Sequence, residues 1–255
     1  MFSRTASRLL VMLGVSGVLA PAAWGDNNNN LRAKPWVFVG EAGDCGLNYP
    51  AGSNIVTSAW LGGMGLPDNG ELNTQSAVLN SPPISTPTSR RDPHTGLLLN
   101  KNGPTSDCSS SGASIKGFRP GSVITELGFD YRLGTHCGGG APRFNIVTTG
   151  GLTYFAGCGT GLRTPAPQDP SQWERVRFGP VFAQIGGSPP FQFGVTQVRS
   201  IDIVYDEGTD STGLNDPAGV GLAVIDNIDI NGTLITSGHG IAVPRGHRGR
   251  DEADD

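Results

Sequence analysis

Glu126 and Asp130 lie four residues apart in SVITELGFDYRLG, and Arg143 follows in HCGGGAPRFNI. Glycoside cleavage needs two carboxyls flanking the bond, one as acid and one as nucleophile or base. On one strand face the pair stands about 13 Å apart, too far for a dyad unless the side chains lean together. The plainer expectation is that they pair with Arg132 and Arg143 across a polar sheet face. A polysaccharide hydrolase or lyase using Glu126, Asp130 and Arg143 is therefore the alternative rather than the leading expectation. The chain has no ExDxxE cluster and no GxSxG, and its four histidines, His94, His136, His239 and His247, are scattered.

A second candidate is inorganic. DEGTDSTGLNDPAGVGLAVIDNID crowds Asp206, Glu207, Asp210, Asp216, Asp226 and Asp229 into one segment, supplying the hard oxygens that calcium takes. The order is not that of an EF-hand. Two readings stand: a structural calcium ion held by Asp226, Asp206, Glu207 and Asp210, or a solvated acidic loop. No other cofactor is indicated. Zinc would need CxxC or HxxxH spacing, which is absent.

A third candidate is sugar recognition, which asks for aromatic platforms with polar groups to orient hydroxyls. Trp36, Trp60, Trp173, Tyr49, Tyr131, Tyr154 and Tyr205 supply the rings. Trp173, in the polar, proline-marked PQDPSQWERVRF, is the first choice, with a core role as its rival. Asp130, Arg132, Arg143, Asn145 and Asp202 form the polar part of the expected groove. HCGGGAPRFNI has the glycines of a phosphate cradle, but a strand rather than a helix follows, so nucleotide binding is set aside.

The elements that must position these residues follow from composition. The first 25 residues have a basic start (Arg4, Arg8), an apolar run from Leu9 to Ala20 and small residues before Asp26, the layout of a secretory signal peptide. With Arg4 and Arg8 gone, 16 basic residues face 22 acidic ones, a net charge of -6 that argues against nucleic acid. No transmembrane segment is expected after cleavage, and the location is secreted or periplasmic. Four exported cysteines read as two disulfides, with Cys137–Cys158 flanking a predicted hairpin and Cys45–Cys108 closing a long loop.

With 39 Gly and 19 Pro, the chain suits many short strands joined by tight turns. Strands are predicted in PWVFVG, NIVTSAWLG, SVITELGFDYRLG, VRSIDIVYDEG and GVGLAVIDNIDINGTLI. RFNIVTTGGLTYFAGC reads as a hairpin turning at Gly150–Gly151. Ala223 and Ile225 share a parity that Ile228 and Ile230 break, which places a β-bulge at Asp226–Asn227. Residues 63–112 read as a long loop broken only by TGLLLNKNG. The expected fold is all-β, a single antiparallel sandwich of jelly-roll type over residues 35–236, with a flexible lead-in at 26–34 and a disordered tail at 237–255.

The closing IDNIDING resembles the last strand of carbohydrate-binding modules and of laminin-G-like or concanavalin-like domains. RRDPHTGLLLNKNG, LGFDYR, HCGGGAPRFNIVT, YFAGC and IDNIDING together resemble a group of secreted bacterial proteins with no assigned activity. The likeness spans Asp92 to Thr236; it implies export and a β-sandwich and transfers no catalytic residue. The resulting expectation is a non-enzymatic secreted protein that binds a glycan or another surface polymer. A structural envelope or matrix component is a further alternative.

Overall fold

The computed structural model describes residues 30–41, 43–44, 52, 55–66, 94–214, 216–217 and 219–244. The expected signal peptide and residues 245–255 of the expected tail lie outside them. Among the described residues thirteen strands run in chain order: β1 Arg32–Val39, β2 Val56–Leu61, β3 Gly96–Lys101, β4 Ser109–Lys116, β5 Leu127–Arg132, β6 Arg143–Thr148, β7 Thr153–Gly157, β8 Leu162–Pro165, β9 Trp173–Phe178, β10 Val198–Tyr205, β11 Leu222–Ile230, β12 Thr233–Ile235 and β13 Ile241–Ala242. They form a five-stranded sheet, β1-β4-β10-β6-β7, and an eight-stranded sheet, β13-β2-β3-β11-β5-β9-β8 with β12 on β11. The strands of both sheets pair antiparallel. The all-β sandwich is the expected class; strand order alone does not assign the finer jelly-roll connectivity.

Alternation along the strands explains the layering, because side chains of one parity must leave water together. Leu127, Phe129 and Tyr131 of β5, Phe144 and Ile146 of β6, and Ile201, Ile203 and Tyr205 of β10 all fill the space between the sheets. The Phe129 and Phe144 rings meet across it at 5.5 Å. The bulge expected in β11 is present: pairing with β5 slips between Asp226 and Asp229, and Asn227 takes φ 45°. Ile225 and Ile228 can thus both be buried in the core.

Several boundaries differ from expectation. β1 begins at Arg32, inside the expected lead-in, because it pairs along its whole length with β4. The first half of β4, SSSG, falls within the expected loop, yet the strand is held on both sides by β1 and β10. β13 lies in the expected tail and pairs with β2. Hydrogen bonding to a neighbour overrides local preference in each case.

Cys137 and Cys158 are joined as expected. Cys108 is also disulfide-bonded, while Cys45 lies outside the described residues. The Cys137–Cys158 bridge spans 21 positions of sequence, which in the loop-entropy account is worth about 3 kcal/mol. Replacing both cysteines by serine should lower the unfolding free energy by about that amount in urea titrations; an unchanged midpoint would show that the bridge constrains nothing.

Candidate functional site

The outward side of the five-stranded sheet gathers polar and aromatic groups in two rows. In the first row Lys34, Ser114, Asp202, Asn145 and Phe155 are successive cross-strand partners on β1, β4, β10, β6 and β7. Four strand spacings make this row about 19 Å long. In the second, Trp36, Gly112, Val204 and Arg143 stand side by side. A Cβ on Gly112 would run into the Trp36 indole, so the absent side chain lets the ring lie against the sheet. Phe155 is 57% exposed, and the Arg143 guanidinium sits 5.5 Å from its ring centre.

Arg143 is fixed in place. It donates to Asn145 Oδ1 at 2.9 Å, to the Gly140 carbonyl at 2.7 Å, and to both oxygens of Asp206 at 2.5 and 2.7 Å. The structure therefore brings together three of the expected ligand-binding residues, Arg143, Asn145 and Asp202. Phe155 escaped the sequence reading, which weighed only Trp and Tyr.

Next to this face, HCGGG encloses a charged cluster. The buried His136 ring shares one hydrogen bond of 2.7 Å with Asp216 Oδ2 through Nδ1 and another of 2.6 Å with Glu207 Oε2 through Nε2. Burial opposes a charged ring, but the hydrogen bonds and charges of the two carboxylates outweigh it, and the pKa lies above 6.5. An imidazolium donates to both acids; a neutral ring can donate to one. Glu207 also accepts from the Gly140 amide at 3.1 Å. Side chains on Gly138 or Gly140 would collide with the Glu207 carboxylate, which is why glycines stand there. The Tyr205 ring meets His136 edge-on at 5.7 Å, and burial, with Glu207, Asp216 and Asp206 nearby, holds its phenol neutral far above the usual range.

A second cation is fully enclosed. Lys101 Nζ donates to the carbonyls of Thr105, Asp107 and Asp206 at 3.1, 3.2 and 2.8 Å and lies 3.2 Å from Asp107 Oδ1. This set of oxygens resembles what a metal ion would ask for, and a lysine fills it. The expected calcium ligands do not share a centre. Asp206 holds Arg143, Glu207 holds His136, and Asp210 accepts from the Thr105 amide and hydroxyl at 2.6 and 2.7 Å. Asp226 accepts from the amides of Leu66 and Asn227 at 2.7 and 2.6 Å. Among the described residues no group of three or more His, Cys, Asp or Glu is placed to hold a metal ion.

The remaining expected site residues lie on the other sheet and are not gathered with these. Asp130 is fully buried between Arg175, at 3.0 Å, and Arg177, at 3.6 Å, and accepts from Asn227 at 2.8 Å. Arg177 reaches on to Asp229 at 3.4 Å, and burial lowers its pKa. Burial raises the pKa of Asp229, which hydrogen-bonds with Glu126, itself buried. Glu126 and Asp130 are thus buried charges, set apart from Arg143, with which the catalytic alternative had grouped them. Trp173, 4% exposed, packs with Leu66, Ala166 and Val224 in a small second core, so the core role prevails over the open platform. Arg132 and an edge of Trp173 line a separate cavity of about 320 Å³ with His94, Gln168 and Gln172, which brings these two expected residues together. The pairing register of Arg132 places it beside Trp173 rather than near Arg143.

Two consequences can be measured. Lys101→Met leaves three carbonyls and Asp107 without their cation and should cost about 3–5 kcal/mol in urea unfolding; a loss under 1 kcal/mol would contradict the cage. A histidine with a raised folded pKa adds stability that is complete below its unfolded value of 6.5 and fades as pH rises through the folded value. The urea midpoint should fall as pH is raised from about 6 through that window, and His136→Gln should flatten the profile; parallel profiles would remove the charged ring from the account.

Comparison of the chain with models of protein families, with curated proteins and with solved structures finds no match.

Proposed function

We propose that this is a secreted, non-enzymatic binding protein whose five-stranded sheet carries a glycan or a similar extracellular polymer across its outer face. The observation that carries this reading is that Trp36, seated against Gly112 on one edge strand, and the exposed Phe155 on the other flank Asp202 and the hydrogen-bonded pair Arg143 and Asn145. Rings give each sugar an apolar surface, while fixed amides, carboxylates and guanidinium groups orient its hydroxyls. The rows run across the strands, so a polymer laid along them meets contacts over about 19 Å. Disulfides favour an oxidising compartment, in keeping with export. A binding role suits the site because Arg143 and Asn145 are already ordered by internal contacts, which lowers the entropy lost on association.

Purified protein applied to a polysaccharide array should retain at least one polymer, and Phe155→Ala and Trp36→Ala should each weaken that binding about tenfold, or 1.4 kcal/mol. Retention of no polymer would sink the proposal, as would two folded variants that bind like the parent.

A further inference from the structure

We propose that the cavity beside Phe38 is a subsite for a primary ammonium group, so that the bound polymer carries free amino sugars; the amino-sugar part rests on the glycan reading above. The cavity measures about 520 Å³, and its wall includes Phe38, Lys101, Asp107, Ser110, Asp206 and Glu207. It adjoins the outer face directly: Phe38 stands two residues from Trp36 on the same side of β1, opposite Ser110 of β4. A chain lying on Trp36 therefore reaches it within about 7 Å.

The cations at the cavity are engaged by the chain itself: Lys101 is part of its wall, and Arg143 and His136 are paired with its wall residues Asp206 and Glu207. Lys101 is occupied by three carbonyls and Asp107, Arg143 by Asp206, Gly140 and Asn145, and His136 by Glu207 and Asp216. Lys101 and His136 have no donor to spare, and Arg143 has four of its five N–H donors met by the chain's own oxygens. What remains for a ligand is acceptors and hydroxyls, with an aromatic edge.

One acceptor is unfilled. Asp107 takes Lys101 and the Ser109 hydroxyl on Oδ1, but its Oδ2 has no hydrogen-bond partner although the side chain is only 6% exposed. A buried carboxylate oxygen without a donor is costly, and a ligand N–H would relieve that cost. Phe38, 43% exposed, adds a ring against which a cation is favoured. An ammonium group offers three donors and a positive charge in a volume that a sugar ring can enter. A carboxylate ligand would face like charges with no free cation, and a neutral acetamide would bring no charge.

Titration calorimetry with a glucosamine hexamer, its fully N-acetylated counterpart and a glucose hexamer tests this. The glucosamine hexamer should bind at least tenfold more tightly than the other two. Asp107→Asn should erase most of that preference. Phe38→Ala, which removes a half-exposed ring and none of the hydrogen bonds to Lys101, should reduce the preference too, which covers the case in which Asp107→Asn fails to fold. Equal affinities for the three hexamers would overturn the ammonium subsite while leaving the polymer face standing, and so would a preference that survives in both variants. If no hexamer binds but glucosamine alone shifts the amide resonances of Ser110 and Glu207, the ammonium subsite stands and the glycan reading falls. If glucosamine shifts neither and no hexamer is preferred, the subsite is wrong.

Discussion

The ammonium of Lys101 is the contact on which the end of the sandwich nearest the proposed site depends. Lys101 closes β3 of the eight-stranded sheet, whereas the carbonyls it holds lie just before β4 and just after β10 of the other sheet. One charged group thus ties the two sheets together where hydrophobic packing gives out. Burying it is expensive unless every donor is met and a counter-charge is at hand. Three carbonyls and Asp107 meet that condition. Once the loops are fixed there, Asp206 is placed for Arg143 and Glu207 for His136, so the neighbouring ion pairs follow from the same constraint.

The two outer faces have opposite fates. On the eight-stranded sheet, Asp130, Arg175, Arg177, Asp229 and Glu126 are buried as a mutually compensating network, and Gly128 leaves room for Arg177 to cross the sheet. A buried network of this kind favours one arrangement of its members and offers nothing to a ligand. On the five-stranded sheet the corresponding side remains partly open, with Phe155 and Lys34 exposed. Accessibility therefore selects the proposed binding face before any question of residue type arises.

What the sequence made legible was whatever depends on periodicity. The inward faces of β5, β6 and β10, the Gly150–Gly151 hairpin and the bulge of β11 all follow from alternation and turn chemistry, which are local. The pairing of Arg143 with Asn145 and Asp202 was legible for the same reason, because two residues separated by one on a strand share a face. Less legible was which polar face would be covered. Asp130 and Arg143 look alike as charged residues on alternating strands, yet one is sealed and the other accessible, and that difference is set by the cross-strand neighbours each meets. Trp173 misled because a polar, proline-marked setting in sequence became a small second core in space.

The glycines carry the harder part of the problem, since they act through side chains they lack. Gly138 and Gly140 read as turn residues, and a turn is what a run of three glycines ordinarily serves. Their cost in unfolded-state entropy is offset here by something 67 residues downstream of Gly140, the Glu207 carboxylate that takes the space a Cβ would fill and closes on His136. Gly112 does the same for Trp36. In both places a missing side chain admits a functional group from a distant part of the chain. A run of glycines next to a strand therefore marks a close approach, and the approaching group is found by asking which distant charge or ring lacks room elsewhere. For HCGGG that group is Glu207, and its position at the cavity wall joins the most conspicuous turn in the sequence to the proposed site.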